Sequence, residues 1–194
     1  MGRKTTVHIT TLLGSARKKG NTATVLGWVE AEVTNLGHSV ERIYLNAKTI
    51  GGCLGCGKCK EKPDQIACVQ NDDTAAVLEQ MIASDAVLFS SPVYFWGFTA
   101  QIKRLIDRGY ALVTDYHQPG HSSLMQDKPI GLLVTGADAY ENNAEGLFTA
   151  FDRIADFLLA PKKGELYVGG CTNPAELPAS VRTKAGALAR SMVG

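Results

Sequence analysis

Short β-branched or apolar runs alternate with longer amphipathic runs along this chain, an order that few architectures accept. Residues 5–13, Thr-Thr-Val-His-Ile-Thr-Thr-Leu-Leu, read as a buried strand that ends at Gly14. From Thr22 onward, Val25, Val29, Val33 and Leu36 recur at helical spacing, with Leu26 and Trp28 beside them, until Gly37 stops the pattern. A weaker strand is expected around Ser39 to Leu45, then a helix from about Asp73 to Ser84 and a strand from Ala86 to Phe89. The spacing next predicts a helix from Thr99, with Ile102, Leu105 and Ile106 on one face, and a strand from Pro129 to Thr135. A helix from about Asn143 to Leu159, a strand from Glu165 to Val168 and a helix from about Ala175 to Met192 complete the series. Parallel strands need crossover connections, so five strands alternating with five helices imply an α/β three-layer sandwich, a five-stranded parallel sheet covered on both faces.

With 194 residues, 45% of them hydrophobic and 20% charged, the chain can bury one sizeable core, and one domain over residues 1–194 is expected, with a cysteine-rich insertion at about 51–70. A formal net charge of +1, without a Lys/Arg run interleaved with aromatics, disfavours nucleic acid and anionic membranes as partners. The start Met1-Gly2-Arg3-Lys4 leads directly into the first alternating segment, with no apolar core or small-residue cleavage site, so a cytoplasmic location is expected. Met1-Gly2 with Thr6 superficially invites a myristoylation reading, which nothing else in the sequence supports.

In open α/β sheets, ligands bind beyond the carboxyl ends of the strands near the point where strand order reverses. The loops after the first, third and fourth strands, Gly14 to Thr22, Ser90 to Thr99 and Thr135 to Asn143, should therefore converge. The first of them leads into a helix N-terminus, whose free amides and positive dipole end suit a phosphate. Ser15, Asn21 and Thr22 add short donors and Arg17 a planar charged one. Lys19 is followed by Gly20-Asn21 rather than Ser or Thr, and the G-x-G-x-x-G spacing is absent, so a terminal monophosphate fits better than a triphosphate or dinucleotide. The alternative is that Gly14 and Gly20 only form a turn, with Asn21 or Thr22 capping the helix.

The second loop reads Ser90-Ser91-Pro92-Val93-Tyr94-Phe95-Trp96-Gly97, with three aromatics where polar residues are usual. They suit either a flat ring ligand, stacked on aromatic faces while loop amides reach its polar edge, or packing into the core or a subunit interface. Between strands two and three, Cys53, Cys56, Cys59 and Cys68 follow C-x2-C-x2-C-x8-C among Gly51, Gly52, Gly55 and Gly57. Four thiolates turning toward one centre suit an iron-sulfur cluster or a tetrahedral zinc; reduced thiols and a redox-active disulfide, favoured by Lys58, Lys60 and Lys62 lowering thiol pKa values, are the alternatives. Cys171 reads as a small hydrophobe, His8 as a satisfied strand residue, and the loop Thr114 to Gln126 with His117 and His121 as a surface excursion rather than a flap.

Gly14-Ser15-Ala16-Arg17 with Gly20-Asn21-Thr22, and Ser91-Pro92-Val93-Tyr94 followed by Ile102-Lys103-Arg104-Leu105-Ile106-Asp107-Arg108, resemble the NAD(P)H-dependent FMN reductase group of the flavodoxin-like superfamily. The cysteine pattern is similar to that of its iron-sulfur flavoproteins. The resemblance implies FMN phosphate at Ser15, Arg17, Asn21 and Thr22, the isoalloxazine against Pro92, Val93, Tyr94, Phe95, Trp96 and Gly97, and Thr135, Gly136 and Ala137 closing the other side of the ring. It further implies NAD(P)H as co-substrate and a quinone, flavin or protein as electron acceptor. It also implies a homodimer or homotetramer, and a [4Fe-4S] cluster on Cys53, Cys56, Cys59 and Cys68 that exchanges electrons with FMN, as in a module passing electrons between proteins. Tyr94, Trp96 and Tyr140 are expected as walls of the nicotinamide site, Asp107 and Arg108 as caps or anchors of the third helix, with a cross-subunit contact as the alternative, and no side chain is assigned as a general acid or base.

Overall fold

A computed structural model describes residues 6–62 and 64–194; the readings made at Met1 to Thr5 lie outside the described residues. The strands in chain order are β1 (His8–Leu13), β2 (Ser39–Tyr44), β3 (Ala86–Pro92), β4 (Val113–Thr114), β5 (Ser122–Ser123), β6 (Ile130–Thr135) and β7 (Lys162–Val168). The α-helices are α1 (Asn21–Asn35), α2 (Thr74–Ala83), α3 (Ala100–Arg108), α4 (Glu145–Leu158) and α5 (Ala179–Val193). One sheet runs β2-β1-β3-β6-β7 with every pairing parallel, which is the expected flavodoxin-like α/β three-layer sandwich.

Neighbouring residues of a strand point to opposite faces, so a strand covered on both sides must be apolar at consecutive positions. Leu12, Phe89 and Leu132 pack with Leu78, Met81, Leu105 and Phe151 of α2, α3 and α4. Their neighbours Leu13, Leu88 and Leu133 pack on the other face with Leu26, Val29, Ala185 and Leu188 of α1 and α5. Phe89 and Phe151 meet edge-to-face, with ring centroids 5.7 Å apart. The chain leaves β1 for β2 and then returns across β1 to β3, so the strand order reverses there and opens a crevice between the two outgoing loops.

The departures from expectation lie at edges and ends. β7 begins at Lys162, earlier than Glu165, because its first residues are largely exposed and carry little apolar signal, while Gly164 leaves room for Ser191 and Leu188 of α5. α5 begins at Ala179 rather than Ala175: Pro174 opens a separate 3-10 turn and Pro178 is the residue before the first helical one. α4 begins at Glu145, whose carboxylate accepts the amides of Asn142 and Asn143. The two-residue antiparallel ribbon β4–β5 was not anticipated, since two residues are too few to display a period. No helix among the described residues is long and apolar enough to cross a membrane.

Candidate functional site

The loops after β1 and β3 are tied before any ligand is considered. The Gly14 amide donates to the Ser90 carbonyl at 2.8 Å, and Thr99 Oγ1 donates to the Gly14 carbonyl at 2.8 Å. Beyond Gly14, the Arg17 amide donates to Ser15 Oγ at 3.1 Å and the Gly20 amide to the Arg17 carbonyl at 3.2 Å. Tyr44 of β2 donates its hydroxyl to the Ala16 carbonyl at 2.6 Å. The N-cap of α1 is Gly20, which has no side chain to offer, and the first turn carries no acidic residue. Asn21 and Thr22 therefore lie inside the helix rather than capping it, and the first-turn amides have no capping side chain. Asn21 Oδ1 is buried without a partner, while Thr22 and Thr135 join the first and third loops through a buried hydroxyl pair 2.7 Å apart. Substituting Thr22→Val should leave Thr135 Oγ1 unsatisfied and lower the unfolding free energy by about 1–3 kcal/mol, as read by urea denaturation.

The third loop is set by the edge strand. The Val93 amide donates to the Thr135 carbonyl at 2.8 Å, the Gly136 amide to the Val168 carbonyl at 2.9 Å, and the Cys171 amide back to the Gly136 carbonyl at 2.9 Å. Together the three loops enclose a cavity of about 200 Å³. Ser15, Arg17, Asn21 and Thr22 line it from the first loop, Pro92, Val93 and Tyr94 from the second, and Thr135, Gly136 and Ala137 from the third. Cys171, read from the sequence as a small hydrophobe, is also in the wall, brought there by the turn Gly169-Gly170 after β7. Burial raises its thiol pKa, partly offset by the Gly136 amide hydrogen bond.

Phe95, Trp96 and Gly97 do not line the cavity but form a turn at its rim. The amides of Tyr94 and Gly97 donate to each other's carbonyls at 3.0 and 3.1 Å, while Phe95 and Trp96 have φ of 46° and 59°. Two left-handed residues inside such a hairpin make a type I′ turn, normally the place of Asn-Gly. Side chains with a Cβ in that region cost about 1–3 kcal/mol each. In this turn Phe95 is 94% and Trp96 64% exposed. Tyr140 packs edge-on against Phe148 and Tyr167 at 5.2 and 5.5 Å, away from the cavity lining.

All five cysteines are free: Cys53 and Cys56 are exposed, Cys59 and Cys68 half-buried. Gly55 and Gly57 adopt left-handed φ of 64° and 70°, and the Gly55 amide donates to Cys53 Sγ at 3.4 Å. Among the described residues, no three His, Cys, Asp or Glu side chains are grouped so as to hold a metal ion, so the four sulfurs are not gathered at one centre. At Cys59 the expected lowering by lysine does not prevail: burial raises the pKa and outweighs the lowering by Lys60. Lys60 is engaged elsewhere, donating to the carbonyls of Tyr110 and Val113 over the Tyr110 ring, and Lys58 pairs with Glu61 at 2.7 Å.

The remaining singled-out residues have structural partners. His8 Nδ1 and Ser39 Oγ hydrogen-bond at 2.9 Å, His121 Nε2 contacts the Phe157 carbonyl at 3.1 Å, and the His117 ring packs at a tilt against Tyr116. Asp107 pairs with Lys103 one helical turn away. Arg108 does more than anchor its own helix, because it turns inward to Asp72.

An iron-sulfur flavoprotein of Methanocaldococcus jannaschii is 31% identical over 146 residues, 75% of this chain and 68% of that protein. An iron-sulfur flavoprotein of Archaeoglobus fulgidus is 42% identical over 97 residues, 50% of this chain and 43% of that protein. The chain spans about half the length of most of the curated relatives it matches. The fold superposes on an FMN-dependent NADH-azoreductase from Bacillus anthracis, solved in complex with FMN, with a TM-score of 0.72 over 96% of this chain and 99% of that one; at 10% identity the likeness is one of fold. The family model described as NADPH-dependent FMN reductase matches residues 7–164, which carry all three loops of the cavity, and the chain belongs to that family.

Proposed function

We propose that the chain is an FMN-dependent oxidoreductase that takes electrons from NAD(P)H and delivers them to a quinone, a flavin or a protein acceptor. The observation that carries this reading is the convergence of three loops on one cavity whose first loop has neither triphosphate nor dinucleotide spacing. The residues present fit FMN. An uncapped helix N-terminus and Arg17 favour a phosphate. The orphaned Asn21 carboxamide can offer its NH2 after a flip that exchanges two nearly indistinguishable atoms. FMN, when bound, supplies the hydride and electron chemistry.

What falls to the chain is binding and orientation. Ser15, Arg17, Asn21 and Thr22 hold the phosphate, Pro92, Val93 and Tyr94 lie along one side of the ring system, and Thr135, Gly136 and Ala137 close the other. A cavity of about 200 Å³ is smaller than the roughly 300–1,000 Å³ of ordinary small-molecule pockets, so part of the ligand lies at the rim. There Tyr94 and the turn Phe95-Trp96-Gly97 stand ready to cover the flavin and the nicotinamide. Such exposed aromatics also suit a homodimer or homotetramer in which a neighbouring subunit completes the pocket. Free thiols throughout accord with a reducing cytoplasm, and the near-zero net charge with partners other than nucleic acid or membrane. We take residues 1–194 as one domain. Anaerobic addition of NADPH or NADH should bleach the bound flavin within the mixing time; a protein without flavin absorption would overturn the reading.

A second reading, an iron-sulfur flavoprotein relaying electrons between proteins, is favoured by Cys53, Cys56, Cys59 and Cys68 and by the relatives of that name. Four thiols among left-handed glycines, with an amide already on the Cys53 sulfur, fit the donor chemistry of a [4Fe-4S] cluster. Bleaching by a reduced ferredoxin-like donor but not by nicotinamide would favour it over the first.

A further inference from the structure

Tyr167, the next-to-last residue of β7, gathers the third loop of the cavity onto its hydroxyl. The hydroxyl donates to the Asp138 carbonyl at 2.8 Å and, in a shared bond, to the Ala139 carbonyl at 3.2 Å. It accepts from Asn143 Nδ2 at 2.8 Å, and the other hydrogen of that carboxamide goes to the Ala139 carbonyl at 3.1 Å. The ring packs edge-on against Tyr140 and Phe148, at centroid distances of 5.5 and 6.4 Å. Two glycines keep space for the hydroxyl and its bonds. A Cβ on Gly136 would stand 2.4 Å from the Tyr167 hydroxyl, and one on Gly169 would stand 2.5 Å from the Asp138 carbonyl oxygen.

Just upstream in the loop, the Cys171 amide donates to the Gly136 carbonyl at 2.9 Å and the Gly170 amide to the Ala137 carbonyl at 3.1 Å. The carbonyls of four consecutive residues, Gly136 to Ala139, are thus all held by residues 167–171. In a trans peptide the N–H points opposite to the C=O of the same unit. The amides of Ala137, Asp138, Ala139 and Tyr140 are therefore turned away from β7. In the sheet, β6 lies between β7 and β3, so away from β7 means toward β3 and the cavity that Gly136 and Ala137 line. None of these amides donates to another described residue. Successive amides facing one side make a positively polarised surface that suits an anion or a polarised oxygen.

We propose that Tyr167 is a positioning residue of the cofactor cavity: by holding the Asp138 and Ala139 carbonyls on its hydroxyl, it keeps the amides of the third loop facing the cavity as fixed donors for the electron-rich edge of a bound ring. The identity of that ring rests on the FMN reading; the orientation of the loop does not. Donors fixed in advance favour the more negative, reduced form of a flavin, because no reorganisation is needed when the charge arrives.

The test compares wild type with three variants. Tyr167→Phe keeps the ring and removes the hydroxyl, Asn143→Ala removes the carboxamide, and Phe148→Leu loosens the ring packing while leaving the hydroxyl in place. Amide hydrogen exchange is followed at Gly170 and Cys171 in the flavin-free protein, and the midpoint potential of bound FMN is read by redox titration. Tyr167→Phe should speed exchange at both amides by about 10-fold, with the core strands unchanged. It should also weaken the hold on reduced FMN about 10-fold more than the hold on oxidised FMN, which lowers a two-electron potential by about 30 mV. Asn143→Ala should produce both changes in smaller measure. Phe148→Leu should lower the melting temperature without moving the potential, a separation that packing alone would not produce. Unchanged exchange in both Tyr167→Phe and Asn143→Ala would overturn the positioning of the loop. An unchanged potential in Tyr167→Phe, or an equal fall in Phe148→Leu, would overturn the role toward the bound ring. A wild-type protein that binds no FMN would instead remove the FMN reading, with hydrogen exchange still deciding the loop.

Discussion

Replacing Asp72 by alanine should lower the unfolding free energy by about 3–5 kcal/mol, since it leaves the Arg108 guanidinium charged, buried and unpaired. A folded domain of this kind has roughly 5–15 kcal/mol in total, so the variant should stand near the edge of stability. The same substitution frees the amides of Gly51 and Thr74, which the carboxylate accepts in the native protein. The effect should depend on pH in a defined direction. Burial pushes the Asp72 carboxyl up, but hydrogen bonds from Arg108, Gly51 and Thr74 outweigh it and hold the group well below the ordinary carboxylate range. A folded-state pKa depressed in this way contributes stability above the unfolded value of 3.8 and loses it as pH falls toward the folded one. Urea denaturation of wild type and Asp72→Ala should therefore show a full gap at neutral pH that narrows below about pH 4. A gap under about 1 kcal/mol at neutral pH would mean that the pair is solvated like a surface salt bridge.

Gly14→Ala should act on the phosphate loop itself. A Cβ at this position would stand 2.2 Å from Cγ1 of Ile102 and 3.0 Å from the Ser90 carbonyl oxygen. Ile102 is fully buried at the start of α3 and Ser90 belongs to β3, so the space cannot be gained by turning a surface side chain aside. The loop must move instead, straining the bonds from Gly14 to Ser90 and from Thr99 to Gly14. Overpacking of this kind costs about 1–3 kcal/mol. Losing one charge-assisted hydrogen bond to the phosphate costs about 1.5–3 kcal/mol, which corresponds to a roughly 10–100-fold weaker hold on FMN. Flavin dissociation followed by fluorescence would measure the second effect and thermal unfolding of the flavin-free protein the first. Wild-type FMN affinity in this variant would show that the phosphate lies elsewhere.

The parts of the molecule that could be read in advance are those whose physics is local. Consecutive apolar pairs such as Leu12-Leu13 and Leu132-Leu133 announce strands buried on both faces, and the spacing of Val25, Val29 and Val33 announces a helix. The exclusion of triphosphate and dinucleotide loops needed only the spacing of Gly14, Lys19 and Gly20. The start of β7 and the β4–β5 ribbon escaped because exposed edges and two-residue pairings leave no periodic trace. Gly20 takes the cap position from Asn21 and Thr22, a shift smaller than the reach of pattern reasoning at helix ends.

The alternating pattern by itself determined the strands, the helices and the parallel sheet they form, because each element follows from the apolar positions along a single segment. The general rule for open α/β sheets then pointed to the three loops, whereas the strand order β2-β1-β3-β6-β7 is a tertiary property. Only the tertiary structure decided which side chains face one another across those loops. Thr22 meets Thr135, Cys171 enters the cavity wall, Phe95 and Trp96 turn outward under strain, and Arg108 finds Asp72. Such contacts join residues far apart in the chain, and no regular spacing records them: they come into being when the layers close and each buried polar group must find a partner.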